Sequence, residues 1–99
     1  MTKNKKLAPL TLVTANIQVL KAVRWDGSDE VFDLIYKICP PDHKLAITQN
    51  YSIEIVFPTG HTKWLDCGNY FTINNLGNII LLHNSTVQNR YEEIRTENN

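Results

Sequence analysis

The chain is poor in the residues that announce a chemistry. It has only 2 cysteines in 99 residues, 1 methionine, and 4 each of glycine and proline. Cys39 and Cys67 lie far apart with no second pair, which gives no support to a disulfide framework, and two reduced thiols are expected. Charge of one sign is lacking as well. Ten basic and ten acidic side chains cancel, which leaves no global field to draw the chain onto nucleic acid or an anionic membrane. No apolar run approaches the roughly 20 residues that span a bilayer, and Leu7 to Val13, interrupted by Pro9 and Thr11, makes a poor export signal. A cytoplasmic protein is the expectation. Repeats, low-complexity tracts and linkers are also missing.

What is there is an ordinary globular composition, 42% hydrophobic and 20% charged, enough for one small domain and one core. Residues 1–16 read as a mostly extended or flexible segment, 17–95 as a single α+β domain and 96–99 as a frayed tail. Ile17, Val19, Val23 and Trp25 fall on alternate positions as in a strand, interrupted by Lys21, while Gln18 and Arg24 face the other way. Asp26-Gly27 breaks the strand. Ser28 is placed as a helix N-cap, followed by Asp29 and Glu30 in the first turn, where the helix dipole favours negative charge. Val31, Leu34, Ile35 and Ile38 recur at helical spacing, with Asp33 and Lys37 on the wet side, until Pro40-Pro41 stops the helix at Cys39.

The character then changes to short extended runs separated by turn residues. Strands are expected at Leu45 to Thr48, Tyr51 to Phe57, His61 to Leu65, Tyr70 to Ile73 and Asn78 to His83. The run Ile79-Ile80-Leu81-Leu82 is apolar on both faces, which places it in a sheet interior. A short last helix, capped by Asn84 or Ser85, would gather Val87, Tyr91 and Ile94 on one face. The expected architecture is β-α followed by an antiparallel meander of about five strands and a short C-terminal helix, with one layer of helix on a bent sheet.

No cofactor motif or catalytic constellation is visible. His61, Asp66, Cys67 and His83 could bind a metal by type, but none shows the paired spacing that presents two ligands to one ion. Cys39 lies on the last turn of a helix, where the dipole raises a thiol's pKa, and Cys67 has no nucleophile context. No metal, cofactor or catalytic residue is therefore expected. Two surface features remain. Asp26, Asp29 and Asp33, with Glu30, form the densest acidic cluster, in which capping and dipole roles account for most of the charge. Trp25, Tyr51, Trp64, Tyr70 and Phe71 fall near strand ends or turns, and Trp64, beside Lys63, is hard to bury completely in so small a sheet. Trp64, Lys63, Tyr70, Asp26, Asp29 and Asp33 are the candidate partner-binding residues.

The stretch Val19 to Gly27, V-L-K-A-V-R-W-D-G, followed by an acidic helix start, resembles the opening of a group of small uncharacterised bacteriophage and prophage proteins. In that group a strand ending A-V-x-W-x-G leads into a helix, then come a G-x-Y turn and a closing Y-E segment. The later parts correspond to Cys67-Gly68-Asn69-Tyr70-Phe71, Leu76-Gly77-Asn78-Ile79 and Tyr91-Glu92-Glu93-Ile94, so the resemblance runs over residues 17–94. This chain carries Cys67 and Asn69 where the group has proline and an acid, and Gln88 near the place of an aromatic. The resemblance implies a fold and a phage origin but no activity. Phage accessory proteins of this size commonly bind and inhibit host or competitor machinery, such as a restriction or CRISPR component, and a non-enzymatic protein of that kind is the first expectation. A protein partner comes first, with self-association into a homodimer as a further expectation. A nucleic-acid module using sheet aromatics is the alternative, disfavoured by zero net charge. A small-ligand protein or enzyme comes last, and a cavity of several hundred cubic ångströms with convergent polar groups would raise its rank.

Overall fold

The computed structural model describes residues 8–13, 19–90 and 92–94. Among them the chain forms an α+β fold of eight strands and two helices, in the order β1 (Leu10–Val13), β2 (Val19–Arg24), α1 (Asp29–Ile38), β3 (Lys44–Ile47), β4 (Ile53–Val56), β5 (Thr62–Leu65), β6 (Tyr70–Asn74), β7 (Ile79–Leu82), α2 (Asn84–Arg90), β8 (Glu92–Ile94).

The strands divide into two antiparallel sheets where the sequence suggested one bent sheet. One has five strands in the order β7-β6-β2-β1-β8, and the other has three in the order β3-β4-β5. The division follows from occupancy. β1 takes one edge of β2 and β6 takes the other, so the meander from β3 to β5 has no free edge of β2 to join and pairs only with itself.

Helix α1 forms as its caps direct. The Ser28 hydroxyl accepts the Val31 N–H at 3.2 Å, and the Cys39 N–H closes the last turn on the Ile35 carbonyl. Its buried stripe is Val31 and Ile35, with Phe32, Leu34 and Ile38 flanking it. These side chains meet Val23, Trp25 and Phe71 from the large sheet and Ile53, Ile55 and Leu65 from the small one in a single apolar cluster.

A second cluster covers the opposite face of the large sheet. Leu12, Leu20 and Ala22 pack there with Val87 of α2, flanked by Leu10, Tyr70, Ile80 and Leu82. This explains the all-apolar run of β7 and corrects its expected position, because β7 is an edge strand. Ile79 and Leu81 serve the first cluster, and Ile80 and Leu82 the second. A strand needs apolar residues on both sides whenever both faces of its sheet are covered, wherever it sits across the sheet.

Short strands near both ends of the described chain join the large sheet. Leu10–Val13, inside the segment read as extended or flexible, is a strand of the large sheet with Leu12 buried. The last helix is shorter than its apolar spacing suggested. Ile94 lies in β8 opposite Thr11, and Tyr91, placed on the same helical face by the sequence, falls outside the described residues. The second edge of β1 offers unpaired backbone groups, and satisfying them outweighs a weak helical pattern.

Candidate interaction face

Register fixes the two faces of the small sheet. Ile47, Ile53 and Leu65 form one cross-strand row, and Leu45, Ile55 and Lys63 form the next; both belong to the face turned to the core. The alternate rows, Ala46–Glu54–Trp64 and Lys44–Val56–Thr62, face outward. On that outer face Trp64 is 58% exposed, Lys44 and Ala46 are exposed, and Glu54 and Val56 of the middle strand are half-buried between their neighbours.

The candidate residues do not converge. Lys63 is adjacent to Trp64 in sequence but points to the other side of the strand, with its ammonium 5.9 Å from the Phe57 ring. The cross-strand neighbour of Trp64 is Glu54. Tyr70 is half-buried and packs on the second cluster, on the sheet face opposite Phe71. Asp29 and Asp33 are exposed on α1, and Asp26 is engaged locally. Its carboxylate accepts the Ser28 N–H at 2.9 Å, and hydrogen bonding from Ser28 is the largest of the influences that hold its pKa below the ordinary aspartate value.

The aromatics separate into two classes. Trp25 and Phe71 are fully buried, whereas Tyr36, Tyr51 and Trp64 are each more than half exposed. Tyr36 was not singled out in the sequence because it lies one position off the helix stripe, and exposure at such a position depends on what packs beside α1. Tyr51 belongs to a junction of three turns. Its backbone is left-handed, with φ of 62°, and its carbonyl accepts the buried Trp25 indole N–H at 2.5 Å and the Cys67 thiol at 3.4 Å. The Ser52 hydroxyl donates to Asp66 at 2.7 Å across the same junction.

The metal-capable residues have other partners. The His61 ring stacks on Phe57 at 4.6 Å and meets the Thr59 hydroxyl, His83 meets the Ser85 hydroxyl, and Cys67 is exposed beside Tyr51. Among the described residues no three histidine, cysteine or acidic side chains gather at one point. Burial pushes the Cys39 thiol pKa up, the direction the helix terminus also favours. Among the described residues no helix is long and apolar enough to cross a membrane.

No family model, curated protein or solved structure matches this chain.

Proposed function

We propose that this is a non-enzymatic binding protein that acts by occupying a surface of another macromolecule, with the outer face of the β3-β4-β5 sheet as contact and Trp64 as anchor. The observation that carries the proposal is the position of Trp64, 58% exposed on the outward side of a strand whose other side is core. A large rigid aromatic loses little conformational freedom when a partner covers it, and aromatics of this kind dominate binding energy at protein interfaces. Lys44 and Glu54 on the same face supply charges of both signs for a polar rim.

A protein partner fits this face better than a nucleic acid. Stacking platforms for unpaired bases place cations beside the aromatic, whereas here the residue across from Trp64 is Glu54 and Lys63 points away. The resemblance to phage and prophage proteins adds a bacterial cytoplasmic setting and suggests a defence component, such as a restriction or CRISPR factor, as the partner, with inhibition by steric occlusion.

The test is affinity capture from a bacterial host with the wild-type chain and with Trp64→Ala, alongside size measurement in solution. The expected result is a defined protein held by the wild type and lost by the variant, while the urea midpoints of the two chains agree. Capture of the same protein by both chains would remove Trp64 from the role. A wild-type chain that captures nothing and runs as a strict monomer would end the proposal.

A further inference from the structure

The alternation of β2 is broken at Lys21. Three residues pair across the large sheet at this level, Lys21 with Thr11 on one side and Ile73 on the other. Lys21 therefore shares the face of Val23, which is packed into the first cluster, and it does so on the central strand of the sheet. A lysine in such a row requires an opening above it.

The opening is supplied by the end of α1. The helix begins beside the Trp25 end of β2, runs back along the strand and stops at Ile38, ahead of Pro40-Pro41. Beyond that stop lies a cavity of about 590 Å3, bounded by Lys21 and Ile73 of the sheet, Lys37 and Ile38 of the helix end, and the β6–β7 turn from Asn74. Its size falls in the usual range for small-molecule sites, roughly 300–1,000 Å3.

The lining is one-sided in chemistry. Among the described residues it contains two ammonium groups and no carboxylate. Asn74 adds a donor, because its side-chain oxygen is already taken by the Leu76 N–H at 3.0 Å and the Asn78 N–H at 2.9 Å. With that oxygen saturated, its free hydrogen-bonding group is the amide NH2. Lys37 partly offsets the negative end of the α1 dipole, and Lys21 adds a second positive charge from the sheet, so the described lining is positive. Ile38 and Ile73 provide an apolar surface beside these donors.

We infer that this cavity binds a small organic phosphate, with the phosphate between Lys21, Lys37 and the Asn74 amide and the attached organic body against Ile38 and Ile73. Lysine binds phosphate as a point charge, and two of them match the double charge of a phosphate monoester. The site is separate from the Trp64 face and stands or falls without it.

The test is calorimetric titration of the full chain at low ionic strength with adenosine monophosphate, inorganic phosphate and uncharged adenosine. The expected result is saturable binding of the mononucleotide, weaker binding of inorganic phosphate and none of adenosine. Lys21→Gln should cost about tenfold in mononucleotide affinity, the scale of one lost hydrogen bond to a charged group. Lys63→Gln, away from the cavity, should cost nothing, and far-UV circular dichroism should show all variants folded. Equal affinity for phosphate and mononucleotide would overturn the contact with the apolar floor. Absence of saturable mononucleotide binding, equal binding of adenosine, or indifference to Lys21→Gln in a folded chain would overturn the site.

Discussion

The two tryptophans show how the same residue type takes opposite roles. Trp25 is fully buried, edge-on to Phe32 at 6.3 Å, and its indole N–H is satisfied by the Tyr51 carbonyl. Trp25→Phe keeps most of the apolar volume but removes the donor, so a loss of about 2 kcal/mol in urea unfolding is expected. The remaining fluorescence of that variant should come from Trp64 alone, red-shifted and readily quenched by acrylamide. Asp26 gives a pH signature at the same scale. Its pKa is lowered in the folded state, so its contribution is fully present above the ordinary aspartate value and is lost as pH falls through the lowered one. Asp26→Asn should therefore be less stable than wild type at neutral pH, with the difference shrinking in acid titrations of the unfolding midpoint. A difference that grows in acid would refute the assignment.

At the scale of elements, turns decide where strands stop and how the sheets meet. Gly27 has φ of 86°, and Cys67 Sγ would lie 3.5 Å from a side-chain carbon added there. That distance is ordinary contact, so the left-handed backbone is the main penalty. Gly27→Ala should cost about 1–2 kcal/mol in thermal or urea unfolding. Cys67→Ala should recover little of it, since steric pressure from the thiol is not the cause. The strand, turn and helix from Val19 to Ile38 were legible because cap, charge placement and apolar spacing agree within a short window. The strands from β3 to β7 were legible for a similar reason, turn residues alternating with extended runs. β8 was not, because Glu92–Ile94 gains its partner only from the distant β1.

At the scale of the molecule, two apolar clusters lie on opposite faces of one sheet, and they are unequal. The first joins α1 with strands of both sheets around Trp25 and Ile35; the second has four buried members among the described residues and rests on Val87 of the short α2. Ile35→Ala should cost about 3–4 kcal/mol and Val87→Ala about 1–2, measured by chemical denaturation. Native-state hydrogen exchange should open α2 before α1. The clusters also explain why exposure was hard to read. Trp64 and Lys63 are neighbours in sequence, yet a strand sends them to opposite sides, and which side is wet depends on where the sheet packs.

Local chemistry in the sequence was sufficient to determine the α+β class, the span of α1, the Ser28 cap and the turns at Gly27, Pro58–Gly60 and Gly77, since each depends on backbone preferences of a few adjacent residues. The division into two sheets, the edge position of β7, the burial of Trp25 against the exposure of Trp64, and the cavity at Lys21 were decided only by tertiary structure. Each of these depends on which strand occupies a neighbour's edge and which face is covered, and such choices are made between residues that lie far apart along the chain.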